Sequence, residues 1–323
     1  MTFEALRIPA LVPSLVNPAA LDAWVFRLLL PAIIDLDLVA AHQIHAGIRV
    51  LRDDELDMGA KADVTGEWGS FHWKSADILP PSEIEAAKRD LDPLSYEQEY
   101  EASFVNFTGR AYYVFDSRRH CARLEYDPTQ PLALCFDFNV APGVAAVAQE
   151  QVLPTGRKGT GVIGEVWIPQ NSNTPAVCRK LIADWGKHEG FIDLYGDVTG
   201  GARGTAKVQG SDWDLVRAAM YAHFGRERVR DKVPRTNPPE RARVNAVNTR
   251  FLNGAGEIHM MIDPARAPHV VKDFEGVVVL EGGSGEIDKA KDDMLTHISD
   301  AVGYRVHYDF PIAGSVVVAS EAY

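Results

Sequence analysis

Three aspartates stand in settings where a carboxylate needs a partner. Asp137 sits within PLALCFDFNVAPGVAAVAQEQ, residues 131–151, an apolar run that reads as buried strand. A buried carboxylate is costly unless it is paired, neutralised or bound to a cation. Asp197 closes FIDLYGDVTGG, and Asp300 lies inside LTHISDAVGY. Alone, each has an ordinary use: a strand-end acid, an Asx-turn, a charge on an amphipathic helix. Brought together, three carboxylates suit hard divalent cations, which prefer oxygen ligands and support hydrolysis of phosphodiesters.

Such convergence depends on the elements that carry the acids. Strands are expected over 132–138, 143–152 and 161–169, joined by the NVAPG and PTGRKG turns, which makes an antiparallel meander. A helix from Pro175 past Trp185 leads to a fourth strand, IDLYGDV, and then come helix 211–224, strand 227–233 and helix 238–253. Strands joined through helices pair in parallel, so the sheet is mixed and covered by helices. This βββαβαβα order is that of an α/β, RNase H-like fold, which as a resemblance implies that the first and fourth strands are neighbours. Asp137 and Asp197 lie on those two strands. A late helix over 288–304 would carry Asp293, His297 and Asp300 at i, i+4 and i+7 on one stripe.

The whole chain sets outer bounds. Its 323 residues are 46% hydrophobic and 24% charged, enough for one large or two medium soluble domains. A net charge of −12 argues against general polyanion binding, yet residues 225–250 carry eight Arg and Lys against three acids. That basic segment, from Arg226 through Arg228, Arg230, Lys232, Arg235, Arg241 and Arg243 to Arg250, offers either a phosphate-positioning groove or a solvated face. Cys121, Cys135 and Cys178 support neither a disulfide framework nor a zinc ribbon and fit a reducing cytoplasm. The run from Trp24 to Ala40 is broken by Arg27, Pro31, Asp35 and Asp37, so neither a membrane span nor a secretion signal is expected.

Other signals fail their structural tests. Gly159 to Gly164 matches G-x-G-x-x-G but opens no helix and is read as a turn. No P-loop pattern occurs, so no ATP site is expected. His42 and His45 are one helical turn apart without a further ligand, which favours an exposed helix face. GSFHWKSAD reads as a short aromatic strand, PSEIEAAKRDL as a helix, and the aromatics Tyr96, Tyr100, Phe104 and Phe107 as packing at helical spacing.

With the acids placed, FDFNVAPGVAA, YGDVTGG, NPPERARVNAVNTRFLN and DKAKDDMLTHISDAVGY resemble, in order and spacing, the C-terminal nuclease domain of the large terminase subunit of tailed bacteriophages. FHWKSADILPPSEIEAAKRDL and YEQEYEASF are similar to the segment that joins that family's ATPase motor to its nuclease. Residues 1–65 do not share the resemblance and are read as a mainly helical N-terminal region of uncertain fold. The resemblance implies two parts: 66–127, the connecting segment, and 128–323, the nuclease domain. It implies a divalent-metal-dependent endodeoxyribonuclease in which Asp137, Asp197 and Asp300 hold two Mg²⁺ or Mn²⁺ ions. Asp137 would bridge them, Asp293 would help, and His297 would serve in helix packing.

Double-stranded DNA is the implied substrate, and portal protein and the small terminase subunit are the implied partners, in the cytoplasm of a bacterial host. Full-length members carry a Walker-bearing motor that this chain lacks, so no ATPase activity is expected and the motor is a separate chain or was lost by truncation, as in a decaying prophage. The competing expectations are a motor-independent RNase H-like nuclease or junction resolvase, and an inactive prophage remnant that only binds.

Overall fold

The computed structural model describes residues 74–101, 109–139, 141–201, 211–280, 286–292 and 294–312. The expectations for residues 1–65, the apolar run 24–40, the His42 and His45 pair, Phe104, Phe107 and Asp293 fall outside the described residues. The chain divides into two compact units, Met1–Ile84 with Glu97–Val105, and Glu85–Tyr96 with Asn106–Tyr323. In the first, Ser75–Asp77 is a short 3-10 turn rather than the end of the expected strand, and Lys74 pairs with Glu101 at 2.7 Å. Helices α1 (Pro81–Asp90) and α2 (Pro93–Tyr100) follow in the chain.

The second unit is built on a sheet whose strands are β1 (Leu132–Asp137), β2 (Gly143–Val152), β3 (Lys158–Ile168), β4 (Ile192–Gly196), β5 (Val229–Asp231) and β6 (Met260–Ile262). Their order is β5-β4-β1-β2-β3-β6, with β1, β2 and β3 antiparallel and β4, β5 and β6 parallel to their neighbours. A β1–β2–β3 meander extended on the β1 side by β4 and β5 is the RNase H-like arrangement. β6 is added beyond β3.

The G-x-G-x-x-G match lies inside β3 and is strand, not turn. Around the sheet stand α3 (Ser117–His120), α4 (Thr174–Trp185), α5 (Asp212–Phe224), α6 (Glu240–Phe251), α7 (Pro268–Gly276) and α8 (His297–Asp309). Local sequence starts the middle helices. Asn173 caps α4 through the Ala176 amide at 2.9 Å, and Ser211 and Asp214 form a capping box on α5.

Strand alternation splits the core into two layers. Leu132, Leu134 and Phe136 point to α4 and α5, where Leu181, Trp213 and Met220 are buried. Ala133 and Cys135 point to the other face, with Val247, Phe251, Phe274, Ile298 and Val302 of α6, α7 and α8. Tyr112 and Phe115 lie fully buried in that second layer, ahead of the expected boundary at 128. The three cysteines are free thiols. Among the described residues no helix is long and apolar enough to cross a membrane.

The late helix begins at His297, not at 288. Residues 289–292 and 294–296 are not helical, so a helical stripe running from 293 to 300 does not form. Thr296 precedes the helix at φ 79°, a left-handed backbone that interrupts any continuation from the acidic stretch before it.

Candidate active site

The β1–β4 ladder sets the first two acids side by side. Phe136 pairs with Gly196 on the last rung of the parallel register, so Asp137 and Asp197 each come one residue later, at the carboxyl end of two neighbouring strands. Gly196 makes this approach feasible: a Cβ there would run into the Phe136 carbonyl oxygen and crowd Trp213. Asp137 is the last residue of β1 and half-buried, so it stands at the rim of the apolar run rather than in its middle.

Each acid has its own polar surroundings. Asn139 Nδ2 donates to Asp137 Oδ2 at 2.6 Å, and His297 Nδ1 lies 3.2 Å from the same oxygen and 2.8 Å from Asn139 Nδ2. Asp197 Oδ1 accepts from the Thr199 amide at 2.7 Å and from Asn237 Nδ2 at 2.6 Å. The Asx-turn anticipated for Asp197 is therefore present, and it fixes the carboxylate at the sheet edge instead of replacing that placement. Trp213 Nε1 donates to the Asp197 carbonyl oxygen at 2.7 Å, tying α5 to the same corner.

Asp300 arrives from the second layer, on the first turn of α8, which packs on β1, β2 and β4. It is only 6% exposed. Arg243 Nη2, from α6, donates to Asp300 Oδ1 at 2.6 Å, and Lys289 Nζ lies 3.6 Å from Oδ2 while pairing with Glu240 at 2.9 Å. Arg243 reaches this position past Gly303, where any Cβ would clash with its stem, and its guanidinium lies 4.5 Å from the centre of the Tyr304 ring. Burial pushes the Asp300 carboxyl up against the pull of Arg243 and Lys289, and the negative charge of Asp137 pushes it further the same way. Burial likewise raises Tyr304, and Asp197, Asp300 and Asp137 all add to that rise. All three acids thus act on one phenol.

The expected basic groove is largely spent inside the protein. Arg228 donates to the His188 and Gly190 carbonyls, Arg230 pairs with Asp193 at 2.5 Å, and Arg243 holds Asp300. Arg250 donates to the His259 carbonyl and lies 3.8 Å from the centre of the Phe310 ring. Their alternation along β5 and α6 reflects these separate attachments, not one phosphate-facing stripe.

Sequence reading assigned His297 to packing and overlooked Asn139, Asn237, Arg243 and Lys289 as neighbours of the acids. Asn139 alone carried a signal, two residues after Asp137 in FDFN. Among the described residues no group of three His, Cys, Asp or Glu side chains is close enough to cage one ion. Asp137 and Asp197 nonetheless bring two carboxylates to one strand edge, although both oxygens of Asp197 already accept hydrogen bonds, Oδ1 from the Thr199 amide and Asn237 and Oδ2 from the Thr199 hydroxyl. That set fits Mg²⁺, which is commonly held by one or two carboxylates plus waters and substrate phosphates. Asp300 fits less directly, since both its oxygens already face cationic side chains.

The strand order, the acid-bearing edge and the helix laid across it define an RNase H-like α/β fold. Solved structures to which the chain is similar include large terminases of bacteriophages. The chain is similar to the large terminase of a thermophilic bacteriophage in complex with ATP-gamma-S (TM-score 0.51, 13% identity), covering 71% of this chain and 52% of that one. A further structure of the same phage's large terminase gives a TM-score of 0.50 at 14% identity, over 73% of this chain and 55% of that chain. The nuclease domain of the large terminase g2p from bacteriophage SPP1, with bound Mn, matches at TM-score 0.34 and 16% identity, over 56% of this chain and 85% of that domain. This chain thus spans about half the length of the thermophilic-phage terminases it matches. No family model and no curated protein matches the sequence.

Proposed function

We propose that this chain is the nuclease portion of a phage or prophage large terminase and hydrolyses double-stranded DNA with divalent metal ions during genome packaging. The observation that carries the reading is the parallel pairing of Phe136 with Gly196, which supports Asp137 and Asp197 leaving β1 and β4 as neighbours. Asp300, on the first turn of α8, is near enough to feel the charge of Asp137. Asp137 and Asp197 would hold Mg²⁺ or Mn²⁺. Asp300 would join them, in a two-ion site, once Lys289 moves off its Oδ2. Such ions supply an activated water and charge for the leaving oxygen of a phosphodiester.

The residues around the acids have separable tasks. Asn139 holds one oxygen of Asp137, while Asn237 and the Thr199 amide hold Oδ1 of Asp197 and the Thr199 hydroxyl holds its Oδ2, a bond that an arriving ion would have to replace. His297 abuts Asp137 and limits its rotation. Arg243 pulls the Asp300 carboxyl down against the rise that its burial imposes. Arg235 and Arg241 of the basic segment are exposed and would meet the DNA backbone. Portal protein and the small terminase subunit are the proposed partners.

The test is cleavage of supercoiled plasmid by the purified chain. Nicking or linearisation is expected with Mn²⁺ or Mg²⁺ and none with excess chelator; cutting that persists in chelator rules the reading out. Preference for a four-way junction over linear duplex would instead favour a resolvase on the same fold.

A further inference from the structure

The first turn of α8 carries His297 and Asp300, and its own N-cap is deficient. Thr296, in the cap position, sits at φ 79°, and its side chain accepts no capping hydrogen bond. The opening amides of a helix need acceptors. One comes from a different helix: the Ser299 amide donates to Asp273 Oδ2 of α7 at 3.1 Å. Asp273 is 1% exposed, and its Oδ1 has no hydrogen-bond partner among the described residues. A carboxylate held there is costly to the fold, and packing α7 on α8 would be served better by an apolar side chain.

We propose that Asp273 is a positioning residue, which caps α8 from α7 and thereby fixes His297 and Asp300 against Asp137. The inference rests on the nuclease reading for its purpose, but its geometry stands apart from any metal. Ser299 lies between the two site residues, and its hydroxyl donates to the Thr296 carbonyl at 3.1 Å, so the strained cap and the remote carboxylate grip the same turn. Releasing this grip lets the turn fray, and both site residues move with it.

The experiment compares the full chain with Asp273→Ala, Asp273→Asn and, as a matched packing control on the same helix, Val270→Ala. Amide hydrogen exchange is read along α8, and Mn²⁺ affinity is measured by titration at a temperature where all four are folded. In Asp273→Ala, exchange at Ser299 and Asp300 is expected to rise at least tenfold while Val302 to Val306 stay protected. Mn²⁺ affinity should fall by a similar factor. Asp273→Asn, which keeps an oxygen acceptor, should restore most of both, and Val270→Ala should lower thermal stability while changing neither. If Asp273→Ala does not fold, Asp273→Ser, whose hydroxyl is too short to reach the amide, takes its place. Unchanged first-turn exchange in the truncated variant, or equal loosening in Val270→Ala, overturns the proposal. A wild-type chain that binds no Mn²⁺ refutes the nuclease reading alone, because the exchange comparison still decides the role of Asp273.

Discussion

Arg243 Nη2 and Asp300 Oδ1 lie 2.6 Å apart with both side chains buried, a pair that joins α6 and α8 across 57 residues of chain. Removing one partner of a buried pair strands the other charge, at a cost of about 3–5 kcal/mol. Asp300→Asn and Arg243→Met should therefore each destabilise the protein by an amount in that range in urea unfolding without metal. In the double variant the two losses should fall well short of adding. Near-wild-type stability of Asp300→Asn would show that Asp300 is free of the pair in solution.

Gly196 and Phe136 define a second relationship that can be tested by one methyl group. Gly196→Ala forces β4 away from the β1 carbonyl immediately before the two acids. Overpacking of this kind costs about 1–3 kcal/mol. The variant should lose DNA cleavage out of proportion to its loss of stability, as measured by melting and plasmid assay on the same preparation. Retained cleavage would mean that the spacing of Asp137 and Asp197 is not critical.

The meander was legible because its signals are local, apolar runs such as LALCF bounded by Pro131 and by turn residues from Asn139 to Pro142, whereas the β1–β4 pairing was expected only from the resemblance to an RNase H-like fold. β6 and α7 were not foreseen. Met260–Ile262 is too short to show a period, and α7 takes its direction from Phe274 packing against Tyr112 and Phe251. The start of α8 was placed nine residues early because its apolar spacing continues back through Leu295 and Met294, whereas the left-handed backbone at Thr296 leaves no pattern in the sequence. Asp137 and Asp197 could be set on neighbouring strands only through the RNase H-like resemblance. The commitment of Asp300 to Arg243 could not be foreseen, since no sequence pattern links residues 57 apart.

The Asp273 carboxyl gives a pH dependence of definite sign. Burial pushes it from 3.8 up to about 7, so folding takes up a proton between those values. The folded state then binds more protons than the unfolded one, and stability falls as pH rises through that window, by at most about 1.4 kcal/mol per unit. This contribution is complete below about pH 4 and gone above about pH 7. Asp273→Asn lacks the slope, so its stability relative to wild type should improve from pH 4 to pH 8. Parallel curves for the two proteins would contradict the assignment.

Tyr112 and Phe115 set the upstream limit of the foldable unit. Phe115 stacks among His120, Phe251 and Phe274, and both side chains are fully buried. Loss of a buried Phe costs about 3–5 kcal/mol. A fragment starting near Glu85 should unfold cooperatively, whereas one starting at Tyr126 should not; cooperative melting of the shorter fragment would place the boundary near 128.

The most direct measurement is the shift in melting temperature that Mn²⁺ produces in wild type, Asp137→Asn and Asp197→Asn. A ligand that binds only the folded state stabilises it according to its affinity and concentration. If Asp137 and Asp197 hold the ion together, Mn²⁺ should raise the wild-type melting temperature in a concentration-dependent way. Each Asn variant should melt like wild type without metal yet lose most of that rise, and its plasmid cleavage should vanish with it. Variants that keep the full wild-type response to Mn²⁺ would contradict the account.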